Sequence, residues 1–340
     1  MHPRRPVAAL AMNRFGAEQV LSEDTLAALG AVTDLRYPPL LDDFTADGAD
    51  AVLAEAELLV TGWGCRPLDA AVLARAPRLR AIVHAAGTVR HHVTEACWER
   101  GIRVSSAAAA NALPVAEYTL AMILLANKRV LEISADYRRT RARRDWAAGL
   151  PADTPLGNYG STVAVLGASL IGRRVLELLR PFGLRALLYD PYVSPEEAER
   201  LGARSVGLAE AFRAADVVSV HVPLLPETRG LVSRDLMGSM RRGAMLINTA
   251  RGAVVDQDAL AELAGAGRIR AVLDVTDPEV LPADHPLWAC EHVLISPHIA
   301  GSVGNETRRL GELAVAEARR YAEGDDFAHP VLRERLGVTA

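Results

Sequence analysis

Short runs of β-branched and aliphatic residues alternate along this chain with longer stretches of helical period, and that alternation restricts the folds open to it. The runs predict strands over 7–12, 58–61, 81–85, 162–166, 186–189, 217–220, 244–248, 271–274 and 293–295. Between them, residues 67–74, 116–128, 171–179, 195–201, 233–240 and 257–264 read as helices. Strands separated by helices re-enter a sheet in the same direction, so the sheets are parallel and covered on both faces. The rhythm breaks over 141–159, where Asp145, Trp146, Gly149, Pro151, Asp153, Pro155 and Gly157 give the composition of a loop or arm. A fresh apolar strand begins at Thr162. A helix starting near Pro114 then opens a second Rossmann-like unit that runs to about Pro297. The expected fold is therefore α/β with two Rossmann-like domains. A doubly wound parallel-sheet domain over 113–298 is inserted in a discontinuous, flavodoxin-like domain made of 1–112 and 299–340. A helix over 306–323 packs back on the first unit.

With 340 residues, half of them apolar, the chain can bury two sizeable cores. The net charge of -4 supplies no field that would recruit nucleic acid or an anionic membrane. Cys65, Cys97 and Cys290 are too far apart in sequence for a disulfide framework or a metal cluster, so no metal site is expected and a reducing, cytoplasmic setting is. Behind Arg4 and Arg5 the apolar run is short and meets Asn13, which reads as a first strand, not a secretion signal. No uninterrupted apolar run reaches the roughly 20 residues of a membrane span.

The strand ending at Leu166 runs directly into Gly167-Ala-Ser-Leu-Ile-Gly172 and then into a helical stretch. Strand, tight glycine turn and helix form the setting that a dinucleotide fingerprint needs: Gly167 permits the turn, Gly172 allows close packing, and a pyrophosphate sits on the helix N-terminus. Ser169 stands where the pattern has its middle glycine. It is small enough to let the backbone approach, and it adds a hydroxyl. Leu170 and Ile171 complete the turn. Asp190 ends the next strand, where a carboxylate accepts from the adenosine ribose hydroxyls and repels a 2′-phosphate, which favours NAD over NADP.

Later strand ends carry Arg251, Asp274, Glu279 and His298. Ligands of open parallel sheets bind outside the carboxyl ends of the strands, so arginine, carboxylate and imidazole at one such edge make a candidate acid–base site. The ordered segments VLGASLIG, YDPY, HVPLLPETRGLV, INTARGAVVD, LDVTDPEVLPADHPLW and SPHIAG, with NALPVAEYTLAMILL earlier, resemble the D-isomer-specific 2-hydroxyacid dehydrogenases over nearly the whole chain. The resemblance implies an NAD-dependent oxidoreductase that interconverts a small 2-keto acid and its D-2-hydroxy acid. It implies that His298 is the general acid–base, Glu279 its orienting partner and Arg251 the anchor of the substrate carboxylate. Those residue types suit the chemistry: imidazole gives and regains a proton near neutrality, a carboxylate fixes its tautomer, and a guanidinium forks onto a carboxylate. Asp277 is an adjacent alternative to Glu279, but Glu279 is the position that matches the motif. The resemblance also places Asp274, Thr249, Ala250, Val222 and Pro223 against the cofactor.

In the first domain the family's A-G-x-G-x-D-N loop is replaced by Ala85-Ala-Gly87-Thr-Val-Arg90-His-His92. Ala86, Gly87 and Thr88 are expected to offer backbone N–H groups to the substrate, with Arg90, His91 and His92 facing solvent. Trp63 reads equally as a pocket wall or as core, and Asn111 resembles a residue at the hinge. The basic run from Arg138 to Arg144 reads as a solvated face, and its position resembles a dimerisation arm, so a homodimer is expected. The same fold and residues also occur in NAD(H)-sensing corepressors, and phosphite dehydrogenation is compatible with these motifs. Formate dehydrogenases carry glutamine beside the histidine, so Glu279 argues against that activity.

Overall fold

A computed structural model describes residues 5–141 and 156–336. The chain divides into two compact units, Met1–Asn111 with Ser302–Thr339, and Ala112–Gly301.

The first unit holds β1 (Val7–Ala11), β2 (Asp34–Arg36), β3 (Leu58–Thr61), β4 (Ala81–His84) and β5 (Arg103–Ser106), all parallel, in the order β2-β1-β3-β4-β5. This is the flavodoxin-like order. Alternate residues feed two cores: Ala9, Leu59 and Ile82 on one face, Ala8, Leu58 and Val83 on the other. The helix Arg308–Glu323 closes the second face with Leu310, Ala314, Val315 and Ala318. A Cβ on its Gly311 would overlap the Val20 carbonyl, so glycine permits that helix to lie directly against Arg14–Val20.

The second unit holds β6 (Thr162–Leu166), β7 (Arg185–Tyr189), β8 (Arg204–Ser205), β9 (Val217–Val220), β10 (Met245–Asn248), β11 (Arg270–Leu273) and β12 (Val293–Ile295). They are parallel in the order β12-β11-β10-β9-β6-β7-β8, a doubly wound sheet whose strand order reverses between β6 and β9. Leu166 pairs with Val220, Val220 with Asn248, Asn248 with Leu273 and Leu273 with Ile295. The carboxyl ends of five strands are thus in line, and every candidate residue of this unit follows one of them or the end of β7.

Pro114 does not begin a helix as expected. It lies inside Ala108–Asn127, and the division between the units falls within that helix. Proline removes the N–H that would reach the Ala110 carbonyl, a tolerable loss because the helix is anchored by burial of Ala116, Ile123 and Ala126. The unit boundaries at Asn111 and Gly301 lie one residue earlier and three later than the expected 112 and 298. This helix is long and apolar enough to cross a membrane by length and composition alone, but those three side chains belong to the core of the second unit.

A polar cluster sits directly behind the candidate substrate loop. Thr61 Oγ1 lies 2.9 Å from His84 Nδ1 and 3.1 Å from His92 Nε2, and the two rings are 4.4 Å apart. His84 also bonds the Thr88 backbone. All three bonds are satisfied with both rings neutral: His84 donates to the Thr88 carbonyl and accepts from the Thr61 hydroxyl, whose oxygen accepts from His92. His92 is 3% exposed, which corrects the expectation that it faces solvent; Arg90 and His91 do. Position 92 follows a turn that folds it back under β3 and β4, where Thr61 offers a partner.

Burial, reinforced by His91, pushes His92 down to about 4, and burial with the two neighbouring histidines lowers His84 as well. A depressed histidine takes its proton more readily in the unfolded chain. Stability is therefore complete above the ordinary imidazole value and is lost as the pH falls from about 6.5 toward 4, with His92 contributing about 3 kcal/mol. Urea midpoints measured between pH 4 and 7 should rise steeply with pH in the wild-type chain and less steeply in His92→Gln. Equal slopes would remove His92 from the cluster.

Candidate active site

At the end of β6, Gly167 takes φ +97° and donates its N–H to the Tyr189 carbonyl at 2.8 Å. A Cβ there would stand 3.0 Å from the backbone of His221 and Val222, so the chain ends of β6 and β9 meet too closely for any side chain. A Cβ on Gly172 would overlap the Gly167 carbonyl. Both outer glycines are therefore obligatory. Ser169 is at φ -62°, ψ 176°, open to any residue, and its Oγ accepts the Gly172 N–H at 3.3 Å as the cap of helix Leu170–Leu179. Serine replaces glycine here without strain and keeps its own hydroxyl hydrogen to donate. The N–H groups of Leu170 and Ile171, in the first turn, have no partner within the helix and suit an anion.

Asp190 is fixed beside this turn. Its Oδ2 accepts from Ala168 N–H at 2.7 Å and its Oδ1 from Tyr192 N–H at 2.8 Å. Two lone-pair directions remain for a vicinal diol. Val222, Thr249 and Ala250 are buried and Pro223 half-buried along the same edge, with Thr249 Oγ1 3.1 Å from Thr119 Oγ1. These residues fit a dinucleotide: a cradle only glycine permits, free amides at a helix start and a carboxylate at the next strand. His221 is buried against Ser219 at 2.8 Å, and burial pushes it down to about 3, so it stays neutral and has no acid–base part.

Beyond β10, Asn248 folds its side chain over the turn: Nδ2 donates to the Arg251 carbonyl at 2.9 Å and Oδ1 accepts from Ala250 N–H at 3.0 Å. A Cβ on Gly252 would overlap the Thr276 carbonyl, so the Arg251–Gly252 peptide lies pressed against the chain leaving β11. Arg251 is half-buried, extended at φ -147°, with Nη1 donating to the Ala250 carbonyl at 2.6 Å.

His298 is held at φ +55°, in the left-handed region. Asp274, 2% exposed, holds it there. Its carbonyl accepts the His298 N–H at 2.9 Å. Its Oδ1 accepts from Ser296 Oγ at 2.7 Å and Ile299 N–H at 2.9 Å, and its Oδ2 from Ala300 N–H at 2.9 Å. Since Ser296 spends its hydrogen on Asp274, Tyr118 donates to Ser296 Oγ at 2.7 Å. His298 Nδ1 then meets Glu279 Oε1 at 2.6 Å, with both side chains about half-exposed. Asp277 is turned toward Arg229 at 3.4 Å and its N–H toward Gln257, so it does not compete with Glu279. Tyr118 and Ser296 lie inside motifs visible in the sequence; what went unread was the bond between them, which joins residues 178 apart.

In the first unit, Ala86 is buried and Gly87 and Thr88 half-buried at the end of β4. Gly87 does not adopt a positive φ, and its nearest neighbour would be Asn111 Nδ2 at 3.7 Å, so its role is to leave space. Asn111 Oδ1 accepts from Ser302 N–H at 3.0 Å and ties the two segments of this unit together. Trp63 packs half-buried on the core that includes Leu10 and Val60. Cys65 and Cys97 are buried and their thiols are pushed up, Cys65 to about 12, which makes them inert. Among the described residues no group of three or more His, Cys, Asp or Glu is arranged to hold a metal ion. Of the basic run, Arg138, Arg139 and Arg141 are exposed; Arg143, Arg144 and the expected arm through 155 lie outside the described residues.

Known proteins resemble this chain in sequence and fold. Residues 120–300 match the family model described as D-isomer specific 2-hydroxyacid dehydrogenase, NAD binding domain. The chain is 33% identical over 324 residues to a D-3-phosphoglycerate dehydrogenase of Mycobacterium leprae, covering 94% of this chain and 58% of that protein. It thus spans less than two thirds of the length of that relative. It is 33% identical over 275 residues to a glyoxylate reductase of Aeropyrum pernix, covering 80% of this chain and 82% of the other. A D-lactate dehydrogenase from Aquifex aeolicus, solved with NAD and lactic acid, matches at TM-score 0.69 and 26% identity over 94% of this chain and 96% of that one. With the glycine cradle, Asp190 and the His298–Glu279 pair each in place on the doubly wound sheet, and the family model spanning most of that unit, the chain belongs to the D-isomer-specific 2-hydroxyacid dehydrogenase family.

Proposed function

We propose that this chain is an NAD-dependent oxidoreductase interconverting a small 2-keto acid and its D-2-hydroxy acid. The observation that carries the reading is the 2.6 Å bond from His298 Nδ1 to Glu279 Oε1 on a loop fixed by Asp274. Bound NADH supplies the hydride. A ketone receiving it needs a proton on the forming alkoxide. With Nδ1 committed to Glu279, His298 presents Nε2 to deliver that proton and, in the oxidative direction, to remove it. Glu279 holds the ring's orientation and tautomer. Arg251 forks onto the substrate carboxylate and polarises the carbonyl oxygen. Val222, Pro223, Thr249, Ala250 and Asp274 are assigned to the cofactor's edge.

Ala86, Gly87, Thr88, Trp63 and Asn111 are assigned to substrate binding. Trp63 shares its ring between that task and the core. A cytoplasmic homodimer completes the proposal. The helix Val130–Thr140 supports the dimer: none of its residues is buried, and Val130, Leu131 and Tyr137 are exposed just before the expected arm. Sedimentation giving a monomer would exclude the dimer.

Oxidation of NADH with glyoxylate, hydroxypyruvate, pyruvate and a bulkier aromatic 2-keto acid tests the reaction. Turnover with at least one is expected, and none with all four, given NADH binding, would overturn the reading. His298→Ala should lose at least about a hundredfold in kcat while still binding NADH; unimpaired turnover would remove the acid–base assignment. Asp274→Asn puts an amide N–H against the N–H of Ala300 or Ile299, leaving a buried donor unpaired at a cost of about 1–3 kcal/mol. Its thermal midpoint and its kcat should both fall, and a variant unchanged in both would show that the carboxylate does not hold the loop.

A further inference from the structure

The adenosine end of the cofactor site contains an arginine that the NAD reading does not use. Arg173, one residue past the last glycine of the turn, donates Nε–H to the Ala168 carbonyl at 2.9 Å. The N–H of the same residue, Ala168, donates to Asp190 Oδ2 at 2.7 Å. A guanidinium and the ribose-reading carboxylate thus grip a single residue from its two ends. A cation held next to the residue that the ribose-reading carboxylate also bonds is the kind of group that accommodates a 2′-phosphate. Here it is already taken: Arg173 Nη2 lies 2.6 Å from Glu197 Oε1, with the two side chains only 40% and 33% exposed. The Glu197 backbone is fixed where Ser194 Oγ accepts its N–H at 3.2 Å at the start of the helix Pro195–Arg200.

We propose that Glu197 is a second determinant of cofactor choice, which neutralises Arg173 so that it cannot serve a 2′-phosphate. The proposal rests on the NAD reading of this turn and extends it from Asp190 to a three-residue arrangement. Asp190 occupies the place of the phosphate and repels it. Glu197 withholds the cation that would otherwise compensate, and adds its own negative charge beside it. Removing Asp190 alone therefore relieves repulsion without supplying attraction. Releasing Arg173 as well supplies a partner that forms charge-assisted bonds to the phosphate oxygens. The two carboxylates act on one ligand group through one arginine, so their removal is coupled and not additive.

The test is equilibrium binding of NADH and NADPH, followed by cofactor fluorescence, for the wild-type chain, Asp190→Ser, Glu197→Gln, Asp190→Ser/Glu197→Gln, and that double variant carrying Arg173→Gln. Glu197→Gln should bind NADH within about threefold of wild type. The double variant should bind NADPH about tenfold or more tightly than Asp190→Ser does, and Arg173→Gln should abolish that gain. No gain on adding Glu197→Gln to Asp190→Ser, or a gain that survives loss of Arg173, would overturn the proposal while leaving NADH binding intact. Failure of the wild-type chain to bind NADH would instead overturn the cofactor reading beneath it.

Discussion

A buried carboxylate at the end of β11 sets the geometry on which the candidate chemistry depends. Asp274 accepts two backbone N–H groups and a serine hydroxyl from the segment 296–300 through its side chain, and the N–H of His298 through its carbonyl. A histidine at positive φ costs about 1–3 kcal/mol unless its surroundings enforce it. Four hydrogen bonds from one residue are that enforcement. The left-handed turn directs the imidazole back toward Glu279, and the rigid sheet under β11 and β12 carries the constraint, since Leu273 and Ile295 are paired in register. Acid–base geometry is thereby a property of the sheet and not of a free loop.

The opposite constraint shapes the cofactor end, where atoms must be absent. Gly167, Gly172 and Gly252 stand where a Cβ would overlap or crowd backbone, and in each case the obstructing backbone belongs to another candidate segment or to the turn itself. Gly167 faces the exit of β9, Gly172 faces Gly167, and Gly252 faces the chain beyond β11. These approaches bring the strand-end loops together without relying on side chains. They also explain why Ser169 is tolerated: its φ is ordinary, and its hydroxyl takes up a helix-capping bond that glycine cannot make.

Much of this was legible in the sequence, and the boundary of what was legible has a physical basis. The strands found in advance are mostly runs buried on both faces, such as Thr162–Leu166 and Leu58–Thr61, whose composition is dictated by two cores at once. The three missed, Asp34–Arg36, Arg103–Ser106 and Arg204–Ser205, are edge strands, where one side needs no partner and polar residues are tolerated. At the site, residue type near strand ends nominates Asp190, Arg251, Glu279 and His298 as candidates, while the separate roles of the last three, and the choice of Glu279 over Asp277, rest on the resemblance of the ordered motifs. The Thr61–His84–His92 cluster and the Tyr118–Ser296 bond were not, because each joins segments that only the folded topology brings together. His92 misled for the same reason: a polar residue in a turn looks exposed until a partner is found beneath it.

Carboxylates do different work in this fold according to what already occupies them. Asp274 takes one hydroxyl and two backbone donors, Asp216 bonds the Thr162 N–H and Arg241, and Glu317 bonds the N–H groups of Ala328 and His329. Each is buried and acts as a fixed acceptor that joins segments. Asp190 is half engaged, with two backbone bonds that orient it and lone pairs left for a ligand. Glu279 differs from these: its side chain bonds His298, and it stands exposed on a turn that Thr276 braces through the Pro278 and Glu279 carbonyls. A carboxylate proposed to orient an imidazole has to be open to it, whereas one that holds a loop has to be taken up by the loop's own donors. The division of bonds between Asp274 and Glu279, five residues apart, fits both tasks within the single segment that leaves β11.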